Sequence, residues 1–340
     1  VQDIDLVSAG GDSDQTVIEN ASVKANAQLT ASNSAVASWN NGDKTVVGRG
    51  ASPNRAPETL INQRGPAAFW RFEDTHIFNS SCYLTGSYQK SDLGFQLNTA
   101  SECHDLSCPK CQETLWDGDG VWRQNYLNGY SRRPEEALKI DGSYFFNTGD
   151  VTHELKFGGR VRESTGASNF VWPGRNILHI AGENFGSDPG PVDFFILYRG
   201  KTDSLGIEVE YKSLWIQDTI AAGNWTLNLG LRYDLQDGVN LPGTTGPSAV
   251  PEILPTVSFS DPINPPFDWE TITPRLGLTY AVGEDRDTLI RASFSQFAAA
   301  LSTYEVGWNN PALPYGGFGA YAYFLFFDVE ESDNQWNGTE

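Results

Sequence analysis

The chain lacks long apolar segments and has little positive charge. Its longest apolar run extends from Ala320 to Phe327, well short of the 18 or so residues that a membrane-spanning helix needs, so spanning by helices is excluded. Lys and Arg number 23 against 43 Asp and Glu, which gives a net charge of −20. This balance argues against nucleic acid as a partner, because such binding is dominated by cationic contacts to phosphate.

Patterns typical of catalysis and metal binding are also missing. The four histidines have no metal-binding spacing such as H-E-x-x-H, and no G-x-S-x-G nucleophile motif occurs. Asp218 and Asp234 suggest a carboxylate pair for general acid–base chemistry, but both fall at strand ends, where a structural hydrogen bond is the better interpretation. We therefore expect no enzyme activity, no metal site and no cofactor.

Met and a positively charged apolar leader are absent too. Their absence fits a mature exported protein or a fragment of a longer one. Hydrophobic content is only 39%, which is low for a soluble core built from 340 residues, whereas aromatic residues reach 12%. A sheet that has one face in contact with water and rows of aromatic residues along its two ends would account for both values.

Regular alternation of apolar and polar residues is the main feature of the chain. Every second residue from Trp225 to Tyr233 is apolar, and residues 275–282 repeat the pattern. Successive side chains of a strand point to opposite faces, so one face is expected to be apolar and the other polar. Arg or Lys at mid-strand would cost roughly 2–4 kcal/mol against lipid and is expected to face a hydrated lumen. The candidates to line that lumen are Arg160, Arg232, Arg275 and Arg291; pairing with neighbouring Asp and Glu is the alternative role.

Short turns alternate with long loops along the chain. This asymmetry is typical of antiparallel transmembrane β-barrels, in which a closed sheet satisfies every backbone polar group in lipid. We predict such a barrel over residues 20–330, with a loop or tail at 1–19 and another at 331–340. The long loops are predicted at 49–65, 92–133, 164–204, 237–268 and 300–317. Eleven strands are predicted at 20–30, 35–48, 66–78, 81–91, 134–147, 151–163, 205–219, 223–236, 269–282, 287–299 and 318–330. Eleven is odd and bacterial single-chain barrels are even, so we expect a piece of a larger barrel.

Several motifs, in this order and spacing, resemble TonB-dependent receptors. The first group comprises Gly-Arg-Gly-Ala-Ser at 48–52, Pro-Glu-Thr at 57–59, Asn-Gln at 62–63, Gly-Pro at 65–66, and residues 70–78. The second comprises residues 153–158, Trp-Pro-Gly at 172–174, Gln-Asp-Thr at 217–219, and residues 227–234 and 273–278. The resemblance covers roughly residues 20–300. It is strongest to the Oar-like subgroup, which carries an N-terminal carboxypeptidase-regulatory-like domain.

The resemblance implies a 22-stranded barrel, an N-terminal plug inside it and a TonB-box peptide. None of the plug, the box or the regulatory-like domain is recognisable here, so the chain is expected to be the middle of the barrel, about half of it. The implied function is uptake of an unidentified substrate across the outer membrane of a Gram-negative bacterium. The implied partners are outer-membrane lipid and the TonB complex, acting through a plug and box outside this chain, with a surface lipoprotein or another protein left open.

Two other functions fit the same pattern. A barrel without active uptake could serve a structural, adhesive or export-related role through its long acidic loops. A soluble β-sandwich that acts as an enzyme or carbohydrate binder is the third alternative. A TonB box and plug would favour transport over the structural role, and extraction only with detergent would eliminate the sandwich.

Cys103, Cys108 and Cys111 have the C-x₄-C-x₂-C spacing of plant-type ferredoxins. An iron–sulfur cluster needs a fourth thiolate downstream, and none exists; a Cys₃His zinc site would recruit His104. In an oxidising compartment a loop disulfide is favoured, with Cys103 joined to Cys111 or to Cys108. Cys82 is expected to be a small apolar strand residue.

Aromatic residues in the predicted outer loops are candidates for ligand capture. They are Trp172, Trp308 and Tyr315. Packing of the loops against one another is an equally good explanation, and the sequence does not separate the two.

Overall fold

The protein is built almost entirely from strands. A computed structural model describes residues 2–7, 13–101, 103, 111–183, 192–200, 205–267, 269–283, 285–312 and 324–327. The strands described are β1 Gln2–Val7, β2 Ser13–Thr30, β3 Asn33–Arg49, β4 Ile61–Asn79, β5 Cys82–Thr99, β6 Thr114–Trp116, β7 Trp122–Arg123, β8 Asn128–Arg132, β9 Glu135–Thr148, β10 Val151–Val171, β11 Ile177–Glu183, β12 Val192–Leu197, β13 Gly206–Ala222, β14 Trp225–Asn240, β15 Gly243–Thr244, β16 Ser258–Phe259, β17 Trp269–Val282, β18 Thr288–Ser295 and β19 Phe324–Phe327. The helical elements are a 3-10 turn at Pro57–Thr59, helix α1 at Thr303–Val306 and a 3-10 turn at Gly307–Asn309.

One large antiparallel sheet dominates the fold. Its order is β1-β2-β3-β4-β5, then β8 and β9 together, then β10-β13-β14-β17-β18. β8 and β9 both lie between β5 and β10, and they are separated by two residues that include Pro134, which cannot donate to the ladder. They act as one interrupted strand, so the sheet has eleven positions, ten of them at predicted strands and one, β1, in the predicted tail. This confirms the predicted antiparallel architecture.

The strands extend further at the long-loop end than the sequence predicted. β2 begins at Ser13 and pairs with Gln2–Val7, so the prediction of a loop or tail over residues 1–19 was wrong. β5, β10 and β14 likewise run into segments predicted as loops, ending at Thr99, Val171 and Asn240. The outer ends of β10 and β14 have few apolar residues on either face, so alternation does not mark them. In β5 Leu93, Phe95 and Leu97 do alternate with polar residues, and the prediction did not use this pattern.

The last predicted strand, at 318–330, does not join the large sheet. Phe324–Phe327 pairs instead with β12 in a five-stranded sheet of order β19-β12-β11-β6-β7. Aromatic residues favour a strand in any sheet, so the aromatic run in this segment predicts a strand but not the sheet to which it belongs. The remaining residues of this prediction, and the predicted tail at 331–340, lie outside the described residues.

The five-stranded sheet belongs to the long loops. β11 and β12 form a hairpin after β10, and β6 pairs in parallel with β11. Its core consists of Ile177, Phe195 and Leu197, packed against Val250 and Leu254 from the loop that follows β14. Parts of three long loops are therefore joined in one small folded layer at this end of the large sheet.

The registers sort the side chains of the large sheet onto two faces. One face, called the outer face here, exposes large apolar side chains that are 44–64% accessible. They include Leu138, Ile140, Leu214, Ile216, Leu229, Leu231, Leu276, Ile290 and Phe294. No described element covers this band, so the apolar face is not the core of a sandwich.

Aromatic rows border the apolar band at both ends. Near the short turns, the rings of Trp225 and Tyr280 lie 4.3 Å apart on neighbouring strands. Near the long loops, the Tyr233 hydroxyl donates to Glu270 at 2.5 Å, and the Tyr88 hydroxyl donates to a glutamate on β9 at 3.0 Å. Trp225 and Tyr233 are eight residues apart on β14, or about 27 Å along the strand. At a strand tilt of about 35–45° this length spans roughly 19–22 Å of height, somewhat less than the apolar band of about 25 Å between two aromatic girdles.

None of the described helices has the length and apolar character needed to cross a membrane.

Candidate functional site

The opposite face of the large sheet, called the inner face here, is polar and concave. Side chains from β5, β9, β10, β13, β14 and β17 line one cavity of about 560 Å³. Its charged and aromatic lining residues are Lys139, Asp141, Lys156, Arg160, Arg232, Arg275, Tyr83 and Trp215. A single cavity bordered by six neighbouring positions of the sheet requires the sheet to curve around it. The inner face therefore encloses a polar space.

Two of the four predicted lumen arginines have carboxylate partners. Arg232 donates from Nε to Asp234 at 2.8 Å and from Nη2 to the Tyr211 hydroxyl at 2.7 Å. Arg160 lies 3.8 Å from Glu135, a looser ion pair. Asp234 is almost fully buried, so the Arg232 contact neutralises a charge that would otherwise be costly inside the wall. Both arginines thus contact acidic neighbours, the arrangement that the sequence left open as the alternative.

Arg275 and Arg291 differ from the first two. Among the described residues neither has a carboxylate within ion-pair distance, and the Arg275 guanidinium lies 5.1 Å from the ring of Phe297. Arg275 lines the cavity, whereas Arg291 lies on the same face opposite Thr279 and does not line the cavity. These two side chains place positive charge on the inner face without an ion-pair partner among the described residues.

The predicted carboxylate pair is not a pair in the structure. Asp218 is on the outer face, where it contacts Nδ1 of His153 at 2.8 Å. Asp234 is on the inner face and belongs to the cluster of Tyr211 and Arg232. The sheet separates the two carboxylates, so they cannot share a proton or a substrate.

The segment after β18 folds back over the inner face. Residues 296–312, called the mouth loop here, are fixed to β14 by Gln236. Gln236 donates from Nε2 to the carbonyl of Ala299 at 2.9 Å and accepts from the amide of Leu301 at 2.7 Å. Gln236 and Arg232 are on the same face of β14, so the mouth loop lies inside the curve of the sheet.

Asn240 provides a second attachment point. Its side-chain amide donates to the carbonyl of Val306 at 2.9 Å and to Oδ1 of Asn309 at 3.2 Å. Its Oδ1 accepts from Nδ2 of Asn310 at 2.9 Å, and the same amide group reaches the carbonyl of Ile263 at 3.1 Å. Asn240 is fully buried, so one side chain fixes two loops to the top of the wall.

Apolar packing completes the attachment of the mouth loop. Leu301 and Val306 pack against Leu205, which precedes β13, and against Ile207 and Val209 of β13. A Cβ at Gly238 would lie 2.3 Å from a methyl carbon of Val306, so only glycine lets the mouth loop approach β14 this closely. The loop is thus part of the folded wall.

Helix α1 and the 3-10 turn that follows it each carry one exposed aromatic side chain. Tyr304 is 52% exposed and Trp308 is 57% exposed, and their ring centroids lie 6.4 Å apart in an edge-to-face arrangement. Val306, on the opposite side of this turn, is buried against the wall. The two exposed rings and the buried Val306 therefore lie on different sides of this segment.

A capping box fixes the start of helix α1. Ser302 and Glu305 exchange the reciprocal hydrogen bonds of this motif, with the Ser302 amide donating to Glu305 at 2.9 Å. The hydrogen bond from the Ser302 hydroxyl lowers the pKa of the Glu305 carboxyl. The sequence analysis proposed Trp308 as a ligand-capture candidate and did not include its neighbour Tyr304. The S-x-x-E spacing, followed by aromatics four residues apart, was the available signal.

Trp172 has a different environment from Trp308. It stacks at 6.0 Å on Trp122, which stacks in turn at 5.5 Å on Trp116. Tyr126 and Tyr198 contact the Trp172 ring from two other sides, and burial raises the pKa of Tyr198 to about 12. All of these rings are at least half-buried and join the core of the small sheet, which favours the packing alternative for Trp172. Tyr315, the third candidate, lies outside the described residues.

The structure contains a disulfide in the second long loop. Cys103 is bonded to Cys111, with their Cα atoms 5.5 Å apart. Cys108 and His104 lie outside the described residues, and Cys82 is an unbonded thiol on β5. The described residues include no cluster of His, Cys, Asp and Glu suited to a metal ion.

Comparison with known families decides which protein class this architecture represents. Residues 12–335 match the family described as TonB dependent receptor-like, beta-barrel. The chain belongs to this family. It is accordingly a β-barrel protein of the outer membrane of Gram-negative bacteria, as the sequence predicted.

Solved structures of TonB-dependent receptors share the fold. The chain is similar to FpvA of Pseudomonas aeruginosa, described bound to pyoverdines (13% identity, TM-score 0.53, 85% of this chain and 36% of that one). It is also similar to the alcaligin receptor FauA of Bordetella pertussis, with 13% identity and a TM-score of 0.52 over 82% of this chain and 35% of that one. The siderophore receptor PiuA of Acinetobacter baumannii is a third similar structure, with 11% identity and a TM-score of 0.51 over 80% of this chain and 41% of that one. The chain thus spans about two fifths or less of these structures, and identities this low show the fold alone. No curated protein matches the chain.

The orientation of a TonB-dependent receptor barrel assigns the two faces and the two ends. The outer face with its exposed Leu and Ile contacts acyl chains, and the inner face encloses the lumen. The long-loop end is extracellular, so the small sheet and the mouth loop lie at the outer opening. The short turns, such as Gly223-Asn224, lie on the periplasmic side.

Proposed function

We propose that this chain supplies wall and extracellular loops to a TonB-dependent receptor that takes up a scarce solute. The observation that carries this proposal is the concave inner face of a family member, with its 560 Å³ cavity and Arg275, which has no ion-pair partner among the described residues. The structurally similar receptors FpvA, FauA and PiuA bind siderophores according to their descriptions, which supports uptake as the general activity. No catalytic arrangement is found in the described part of the chain.

We further propose that the chain is the middle of a larger barrel of the Oar-like subgroup. In the described residues β1 pairs only with β2 and β18 only with β17, so both edges of the sheet are open to further strands. Unpaired edges are not tolerated in lipid, which supports closure by additional strands. The motifs at 48–52 and 70–78 support the subgroup. Energy would come from the TonB complex acting on a plug in the rest of the protein.

Depletion of solutes from the medium tests this function even though the substrate is unidentified. Cells with the complete receptor, cells lacking it and cells lacking TonB would be grown in one medium, and the spent media compared by mass spectrometry. We expect at least one compound to persist both without the receptor and without TonB. The proposal would be contradicted if every compound that persists without the receptor were still removed by cells lacking TonB, or if no compound persisted without the receptor; the second result would favour a structural or adhesive barrel.

A further inference from the structure

An apolar groove runs along the outer face of β9, β10, β13 and β14. It has a volume of about 750 Å³, and its outer-face lining includes Leu138, Ile140, Val161, Leu214, Ile216 and Leu235. Gly159 forms part of its floor, because it has no side chain and lies between Ile140 and Leu214 of the two neighbouring strands. The groove belongs to the band that contacts lipid, so its occupant in the membrane is an acyl chain.

Lys212 lies at the long-loop end of this groove. Val161 and Leu235 stand opposite it on the two neighbouring strands, so the lysine marks the edge of the apolar band. A lysine in this position extends its ammonium group towards the lipid headgroups. Its Nζ contacts Glu210 at 2.5 Å, and its side chain is about half exposed. An ammonium group has three N–H donors, so Lys212 can also donate to a lipid phosphate.

Four carboxylates form a row across the same strands, two residues beyond Lys212 on the extracellular side. The row consists of Glu136, Glu163, Glu210 and Asp237, each directly opposite the next. Like charges at opposite positions repel, because neighbouring strands are only about 5 Å apart. Lys90 and Lys212 pair with the first and the third carboxylate, whereas Glu163 and Asp237 have no ion pair among the described residues. The row does not form a cluster suited to a metal ion.

The order of these groups along the strands is that of a phosphoethanolamine headgroup read outward. The groove comes first, then the cation of Lys212, then the free carboxylates of Glu163 and Asp237. A lipid with this headgroup has an acyl chain, then an anionic phosphate, then a cationic ammonium group. Two residues of a strand rise about 7 Å, a step that the ethanolamine linker and flexible side chains can span. The same order repels a headgroup that ends in a phosphate.

We infer that the groove and its charged rim bind a lipid whose phosphate carries an ethanolamine group. The acyl chain lies in the groove over Gly159, and the phosphate accepts from Lys212. The ammonium group donates to Glu163 and Asp237. The rim is at the extracellular end of the barrel, where the leaflet is built from lipid A, so the lipid is lipid A with a phosphoethanolamine substituent. The inference depends on the membrane orientation of the barrel and requires no uptake.

Native mass spectrometry of the complete receptor, purified in detergent, tests the site. The probes are two lipid A preparations with the same acyl chains, one with phosphoethanolamine on its phosphates and one without. We expect the apparent Kd of the modified form to be at least tenfold lower. Glu163→Gln combined with Asp237→Asn should abolish that preference, whereas Lys212→Gln should raise the Kd of both forms, because both carry the phosphate. Glu19→Gln, which neutralises an exposed outer-face carboxylate on β2, is the matched control and should change neither Kd.

Four outcomes would overturn the inference. They are equal or tighter binding of unmodified lipid A, a preference that survives the double substitution, an equal loss in Glu19→Gln, and binding of phosphatidylethanolamine in place of the modified lipid A. Loss of the preference on addition of EDTA would also contradict it, because the carboxylates would then hold a metal ion. Heat-modifiable migration on a gel checks that each variant is a folded barrel. Lipid binding requires no TonB, so a failed solute-depletion experiment would refute the proposed function and leave this inference standing.

Discussion

Asn310 donates a hydrogen bond from Nδ2 to Oδ1 of Asn240 at 2.9 Å, and both side chains are almost fully buried. The two residues are 70 positions apart in the chain, one on the wall and one in the mouth loop. Buried amide pairs have exacting geometry, because each unpaired donor or acceptor costs free energy. This contact therefore defines one position of the mouth loop relative to the barrel.

Asn240→Leu should release the mouth loop while the wall stays folded. The side chains are similar in volume, but Leu removes the contacts to Val306, Asn309 and Asn310. At about 1 kcal/mol per hydrogen bond, the loop should lose about 3 kcal/mol of attachment. Hydrogen exchange of residues 301–310 should then accelerate about 100-fold.

The control for this variant is Asn26→Leu, the same chemical change on the inner face of β2. Asn26 is exposed, and no hydrogen bond of its side chain is described. Equal acceleration in the two variants, or none with Asn240→Leu, would show that the amide does not hold the loop.

Gly238→Ala should expel the mouth loop by crowding. The new methyl group would lie 2.3 Å from Val306 Cγ2 and 3.2 Å from the Glu208 carbonyl, so one of the two packed segments must move. Cleavage of the mouth loop by an added protease should rise at least tenfold. Gly230→Ala is the control on the same face of the same strand, where the nearest atom is 3.5 Å away. Similar cleavage of both variants would argue against close packing at Gly238.

The alternation of residues 225–233 was sufficient to predict the wall strands, because one face contacts lipid along its whole length. The pattern ends in β14 near Asp237, which is why the outer part of β14 was predicted as a loop. The outer part of β5 still alternates at Leu93, Phe95 and Leu97, and the prediction missed it. The mouth loop was not predictable in this way. Its attachment depends on Gln236 and Asn240, single buried amides with no periodic pattern and partners more than 60 residues away.

Arg at neighbouring positions of β2 tests the assignment of the two faces. Ala25 is on the outer face, so Ala25→Arg places a charge against lipid and should destabilise the barrel by about 2–4 kcal/mol near the midplane. Asn26→Arg, on the inner face, should change stability by only a fraction of that. Urea unfolding of the complete receptor in lipid vesicles measures both values. Equal effects of the two substitutions would contradict the membrane orientation.

A glycine on the outer face makes room for an aromatic ring from the next strand. Phe157 lies over Gly142 on the paired strand, and a Cβ at Gly142 would come within 2.5 Å of the Phe157 ring and 2.6 Å of Leu84. Gly142→Ala should destabilise the wall by about 1–3 kcal/mol through overpacking. Gly86→Ala on the adjacent strand is the control, since nothing lies within 4 Å of its added Cβ. The same urea unfolding should show a lower midpoint for Gly142→Ala than for Gly86→Ala, and a reversed order would rule out the crowding.

The capping box of helix α1 should make the mouth loop sensitive to acid. The hydrogen bond from Ser302 lowers the pKa of Glu305 in the folded loop, so the folded state binds its proton less readily than the unfolded state. The stabilisation that ionised Glu305 gives to the folded loop is fully present above the ordinary pKa of Glu. It is lost as the pH falls through the lowered pKa of the folded loop. Hydrogen exchange of residues 302–306, corrected for the intrinsic rate at each pH, should lose protection only below about pH 4.5, near the unperturbed pKa. In Glu305→Gln that dependence on pH should vanish, because Gln does not titrate. A protection curve that is unchanged by Glu305→Gln would show that another carboxyl controls the loop.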